Sequence, residues 1–327
     1  MGVRELYLSE IYFYATILPE FYKLEAEKVP KMPKFITAVT TPFKEVLVLE
    51  DVRQFGYGMR DKTLFLDEKH VKFVLGEFGK LHAFSFALKF KNCELYESLV
   101  KGLKDIHGGK NCNLNDETNS WYRATLKQTK ELFQAEEDVK ILKKLEYIED
   151  HLEEYCEGFL EYQGPFGVVS HMDCWSNNML FRYNNNTLDS ICFLDFQYVW
   201  VVSPAVDFSF IFYVNGKPEE YPKLDEYLQH YYDSLKSHSK LLGLNIEEVY
   251  SYSMFLEEIF AYAKYGFLRG LIGIPMSMRQ NEDIIDVKDV VSNGMDTSKA
   301  FGVEKWHSEC ADWMRKLTLH MVEHNFI

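Results

Sequence analysis

The sequence has no stretch approaching the roughly 20 consecutive apolar residues of a membrane span. Its first residues, MGVRELYLSE, carry charge where a signal peptide needs an apolar core. Basic runs are missing too: acidic side chains dominate, the formal net charge is −14, and the electrostatic footprint of a nucleic-acid binder is absent. Six cysteines (Cys93, Cys112, Cys156, Cys174, Cys192 and Cys310) are scattered with no Cys-x-x-Cys spacing, which argues against a disulfide framework and for reduced thiols. There is no internal repeat and no low-complexity linker. These absences point to a cytoplasmic protein with neither a nucleic-acid nor a membrane partner. What is present is apolar material: 47% of the 327 residues are hydrophobic, enough to fill the core of one large domain or two ordinary ones.

Leu6, Ile11, Tyr14, Ala15 and Leu18 recur at helical spacing, so an amphipathic helix is expected to run until Pro19. KFITAVTT and KEVLVLED, on either side of Pro42, read as two adjacent strands. From Asp67, a plausible N-cap, Val71, Val74, Phe78, Leu81 and Leu88 trace a long helix. Gly56-x-Gly58 is too short to cradle phosphates and reads as a surface turn, and HGGKNCNLND, near 107 to 116, reads as an exposed loop. Residues 118 to 162, 219 to 272 and 303 to 325 have helical periodicity. Between these helices, Gly167 to Phe196 forms a β-rich island. A small strand-containing part followed by a larger helical part is the expected architecture.

The island carries the chemistry. Residues 179 to 183 (MLFRY) and 190 to 194 (SICFL) are strand-like and flank NNNTLD, a turn composition. A hairpin symmetric about that turn puts Asn178 opposite Asp195 at its open end, roughly 5 Å apart. Asp173, five residues earlier in VVSHMDCWSNNMLF, can return to the same place. Convergent hard oxygens suit Mg²⁺, which proteins hold with one or two carboxylates and complete with substrate phosphates. Phosphoryl transfer asks for this set, so Asp173 is assigned as the base for an attacking hydroxyl and Asn178 and Asp195 as metal ligands. His171 braces the loop. A zinc site from His171, Cys174 and Cys192 lacks a clear fourth ligand. A two-metal nuclease using Asp173 and Asp195 sits badly with an acidic chain.

SHMDCWSNNMLF with ICFLDFQ resembles the ecdysteroid-kinase-like family, also called CHK-kinase-like, whose pattern is a His-Gly-Asp-x-Trp-x-Asn-Asn loop followed by Asp-Phe-Gln. That family belongs with the aminoglycoside phosphotransferases and choline kinases. EIYFYATILPEF resembles the family's Glu-bearing helix, VLVLEDV the strand entering the hinge between lobes, and EFGKLHAFSFAL its first large helix. The resemblance implies an α+β, protein-kinase-like two-lobe fold with a truncated N-terminal lobe and a large, mostly helical C-terminal lobe. Residues 1–52 would form the residual first lobe and 53–327 the second. It implies ATP and Mg²⁺ as cofactors, Asp173 as base, Asn178 and Asp195 as magnesium ligands, and Glu10 as the glutamate that pairs with a nucleotide-positioning lysine. Leu49 and Glu50 fall at the adenine-binding hinge. Asp207, after VSPAV, matches an Asp supporting the catalytic loop, although its position also suits a helix N-cap.

The sequence departs from the pattern twice. Met172 replaces the glycine between His and Asp, a change expected to be tolerated provided the loop needs no positive φ. No lysine precedes Glu10, so the usual Lys–Glu pair is not expected, and turnover is expected to be impaired by absence of the lysine and Gly-rich-loop segment. The implied substrate is a small alcohol, ecdysteroid-like or otherwise. YSYSMFLEEIFAYAKYGFLRGLIGIPM, residues 250 to 276, offers apolar side chains that either wall a steroid-sized pocket or pack as helical core. The alternative to a small-molecule kinase is a pseudokinase-like binding protein for a small apolar ligand or nucleotide.

Overall fold

The computed structural model describes residues 3–60, 65–104, 116–160, 162, 164–279 and 306–327. The loop expected near residues 107 to 116 falls outside them, but for its last residue, as does Cys112. The chain enters as α1 (Val3–Tyr12), passes through a π-helical turn at Phe13–Ile17, and continues as α2 (Leu18–Glu25). Pro19 therefore does not stop the helix. The amide of Leu18 reaches back to the carbonyl of Phe13, and Pro19, which has no N–H to place, sits at the start of the next α-helical segment, where proline is tolerated. The π turn also rotates the inward face: Phe13, Tyr14, Ile17 and Phe21 are buried, whereas Ala15 is exposed.

The two strands flanking Pro42 pair antiparallel as β1 (Phe35–Val39) and β2 (Val46–Leu49), with Val39 opposite Val46 and Phe35 opposite Leu49. A 3₁₀ turn at Val52–Phe55 ends on Gly56 in the left-handed region (φ 83°). Gly58 is more than a turn residue. It opens β3 (Gly58–Met59), which pairs with Phe181 and Leu180 as an edge strand. The Asp67 carboxylate accepts the His70 amide at 3.1 Å and so caps α3 (Glu68–Lys91), whose Val71, Val74, Phe78, Leu81 and Leu88 are all buried.

Helices α4 (Cys93–Gly102), α5 (Asp116–Glu131), α6 (Val139–Asp150) and α7 (Leu152–Leu160) follow. The β-rich island comprises β4 (Val168–Ser170), β5 (Met179–Asn184) and β6 (Thr187–Phe193), and a further strand, β7 (Trp200–Val202), lies just beyond its expected end. Strand β5 lies between β3 and β6, while β4 pairs with β7. The remainder is helical: α8 (Pro204–Phe210), α9 (Leu224–Leu241), α10 (Ile246–Val249), α11 (Tyr252–Ser277) and α12 (Ser308–Glu323). The class is α+β.

Helix α3 packs along α9, and α8 lies against α11. Both contacts need glycine: a Cβ on Gly79 would stand 2.8 Å from the Tyr231 carbonyl, and one on Gly266 2.5 Å from that of Ser209. Most of the aromatic run in α11 goes into this core, including Phe255, Ile259, Phe267, Leu271 and Ile274. Among the described residues no helix is long and apolar enough to cross a membrane, and the cysteines are free thiols.

Candidate active site

The hairpin that organises the site is tighter than the expected symmetric one. Asn185 and Asn186 both have positive φ (48° and 62°), as a two-residue type I′ turn requires, and Asn184 pairs with Thr187. The ladder then slips, with Tyr183 opposite Leu188 but Arg182 opposite Ser190, so that Asp189 is the bulged residue. Met179 accordingly pairs with Phe193, and the Leu194 amide donates to the Asn178 carbonyl at 2.9 Å. Asn178 faces Leu194, not Asp195. One residue on, Asp195 leaves the strand in a left-handed conformation (φ 63°). Its carboxyl still lies near Asp173: burial chiefly raises its pKa, the His171 ring opposes, and the Asp173 charge adds to the rise.

The loop before the hairpin is held from beneath. Asp207 is fully buried in the first turn of α8. It is not the N-cap, because Ser203 caps that helix by accepting the Ala205 amide at 3.1 Å. Its carboxylate instead accepts the amides of His171 and Met172, each at 2.9 Å, His82 Nε2 at 3.2 Å and the Cys174 thiol at 3.3 Å. Met172 has φ 67°, so the loop does require the left-handed region and the proviso attached to losing glycine fails. That conformation costs a non-glycine residue about 1–3 kcal/mol and persists where its surroundings over-determine it. Here Asp207 holds the Met172 N–H, and the Tyr265 hydroxyl donates to its carbonyl at 2.9 Å.

His171 Nε2 bonds the Leu194 carbonyl at 2.8 Å, which makes it the donor and leaves Nδ1 to accept the Asp173 amide at 3.3 Å. Nε2 thus ties the loop to the end of the hairpin, and Nδ1 braces the loop's own backbone. The Asp173 carboxylate receives Arg269 Nη2 on Oδ1 at 2.8 Å and Asn178 Nδ2 on Oδ2 at 3.2 Å. Because Asn178 Nδ2 also donates to the Asp173 carbonyl at 2.9 Å, the amide orientation is settled and Asn178 Oδ1 remains as an acceptor.

Glu10, on α1, faces the 3₁₀ turn at Phe196–Tyr198, where Phe13 stacks on Phe196 with centroids 3.7 Å apart. Burial, then the charge of Asp195, pushes the Glu10 pKa up to about 7, against a backbone hydrogen bond from Phe196. The Asp195 charge thus acts on Glu10, and the Asp173 charge acts on Asp195. Leu49 and Glu50 stand at the end of β2, where Glu50 accepts Lys31 Nζ at 3.2 Å. Among the described residues no hydrogen bond or ion pair joins them to the loop.

A zinc site does not form: Cys174 donates to Asp207, burial holds its thiol pKa well above the ordinary value, and Cys192 packs in a separate cluster with Val52, Tyr57 and Leu180. Among the described residues no set of three His, Cys, Asp or Glu side chains is placed to hold a metal. The donors present, two carboxylates and the Asn178 amide oxygen, fit a hard cation that completes its shell from phosphates and water. Burial chiefly, and after it a neighbouring carboxylate, raises the pKa values of Glu10 and Asp195.

Sequence reasoning missed Arg269, Tyr265, His82 and Asn215. Asn215 accepts the Ser176 amide and donates to the Cys174 carbonyl, at 2.9 and 2.8 Å, steadying the loop from its far side. Arg269 left a trace, since it is a lone charge in the run YGFLRGLIGIP.

The ecdysteroid kinase-like family model matches residues 1–244. Among solved structures, an aminoglycoside phosphotransferase from Alicyclobacillus acidocaldarius subsp. acidocaldarius DSM 446 aligns with 96% of this chain and 81% of that chain, at 11% identity and a TM-score of 0.34, too remote a likeness to carry an argument. No curated protein matches the sequence.

Proposed function

The chain belongs to the ecdysteroid kinase-like family, and we propose from that premise that it transfers the terminal phosphoryl group of ATP to a hydroxyl of a small alcohol, with Mg²⁺. What supports this reading is the hydrogen bond from Asn178 Nδ2 to Asp173 Oδ2 at the open end of the β5–β6 hairpin, where the Asp173 charge also acts on Asp195. Asp173 takes the proton of the acceptor hydroxyl as that oxygen bonds to the γ-phosphorus and the bond to the β-phosphate bridge opens. Asn178, through Oδ1, and Asp195 would hold the metal. Bound there, Mg²⁺ supplies neutralisation of the phosphate charge. His171 and Asp207 fix the loop, and Leu49 and Glu50 present backbone groups to the adenine. Residues 1–52 form the smaller lobe and 53–327 the larger. The acceptor is an ecdysteroid-like or comparable small alcohol, and the setting is cytoplasmic.

The described residues place no cation within ion-pair distance of Glu10, and this favours a second reading, a binding protein that holds nucleotide or ligand with weak turnover. Thermal shift with ATP, with and without Mg²⁺, followed by phosphate transfer to a panel of sterols and simpler alcohols, separates the two. A Mg²⁺-dependent shift with transfer supports the kinase; a shift without transfer supports the binding protein. Asp173→Asn is expected to cut transfer by about 10²–10⁴-fold. Wild-type rates in that variant would remove Asp173 from the chemistry.

A further inference from the structure

Arg269 projects from α11 beside Asp173, its side chain 31% exposed against 11% for the aspartate. Its guanidinium lies 5.2 Å from the centre of the Phe210 ring, a cation–π contact, and its Nε, buried, has no hydrogen-bond partner among the described residues. Such a pair is a poor stabiliser: desolvation offsets much of the attraction, and a buried N–H without an acceptor costs about 1–3 kcal/mol. What it does provide is direction. Arg269 on Oδ1 and Asn178 on Oδ2 leave the carboxylate little freedom to rotate. One helical turn earlier, Tyr265 secures the Met172 carbonyl, so adjacent turns of α11 grip consecutive residues of the loop.

We infer that Arg269 is a positioning residue for phosphoryl transfer, holding the Asp173 carboxylate at the angle from which it receives the acceptor's proton. A loose transition state asks little basicity of that carboxylate but demands its placement. This inference rests on the phosphotransferase reading above.

The test uses the full chain with Mg·ATP, an ecdysteroid as acceptor and, separately, water as acceptor in ATP hydrolysis. Arg269→Met is expected to lower kcat by about 10–10²-fold with both KM values kept, as a misplacement of an ångström does. Arg269→Lys is expected to recover part of the rate, and added methylguanidine to recover part of the rate of Arg269→Ala. A raised acceptor KM with kcat kept would overturn the proposal by making Arg269 a substrate contact. Rates that fall only with the folded fraction, unrescued by methylguanidine, would reduce it to packing. The pairing is read without turnover from the Tm shifts of Asp173→Asn, Arg269→Met and the double variant. Shifts that are less than additive support it, and additive shifts overturn it. A wild-type chain that transfers no phosphate to any acceptor, water included, while its Tm shifts are non-additive, puts the failure in the phosphotransferase reading and leaves the pair standing.

Discussion

Replacing Met172 by glycine and by alanine gives the sharpest test of the loop geometry, because the two variants separate backbone strain from packing. Met172 is 3% exposed, with φ 67°. Alanine keeps the left-handed strain and loses the buried side chain, at about 2–5 kcal/mol. Glycine loses the same packing but recovers the strain, about 1–3 kcal/mol, less about 0.5–1 kcal/mol for its freer unfolded chain. The expected order of stability is therefore wild type, then Met172→Gly, then Met172→Ala, with the glycine variant about 0.5–2 kcal/mol above the alanine one. At an extended or helical position of ordinary φ the last two would be reversed. Urea unfolding midpoints at constant m measure the order directly. Alanine above glycine would refute the left-handed geometry. Glycine above wild type would show that the Met172 side chain contributes less than its burial implies, and that the departure from the family's glycine is a net cost.

The parts of the molecule legible in the sequence are those governed by near neighbours. The α3 pattern and its Asp67 cap, the pair of strands around Pro42 and the hairpin of the island all follow from periodicity and turn composition. The errors arose where one residue shifts a register. NNNTLD reads as a broad turn, but side chains tolerant of positive φ at Asn185 and Asn186 permit a two-residue turn, and the bulge at Asp189 then moves the partner of Asn178 to Leu194. The same limit hid the π turn before Pro19, which depends on one carbonyl accepting from five residues onward. Ser203-Pro204 is an N-cap followed by an N1 proline, a local signal that assigns the cap to Ser203 and frees Asp207 for the loop. Arg269 reaches Asp173 across 96 residues of chain, so nothing local names its partner. Its isolation in an apolar run marks only that it must have one.

Two further consequences concern charge at the site. Burial alone would raise the Asp207 pKa, but the hydrogen bond and charge of His82, the charge of His171 and the Met172 amide outweigh it and lower the pKa below the usual 3.8. A depressed folded pKa contributes stability above the unfolded value that is lost as pH falls through the folded one, so Asp207→Asn is expected to lower Tm at neutral pH and to flatten the decline below about pH 4. A parallel acid decline in both proteins would count against that assignment. Glu10 has the opposite sign, because burial and then the Asp195 charge lift its pKa from 4.5 to about 7. The folded state prefers the protonated acid, and its ionisation removes stability as pH rises from 4.5 toward 7. Glu10→Gln, which cannot ionise, is expected to match wild type near pH 4 and to exceed it increasingly up to pH 7, by on the order of 3 kcal/mol, with a plateau beyond. Since Asp195 is part of the cause, Mg²⁺ binding at Asp195, as proposed above, should shrink the excess, and a Tm difference indifferent to both pH and Mg²⁺ would separate Glu10 from the proposed metal site.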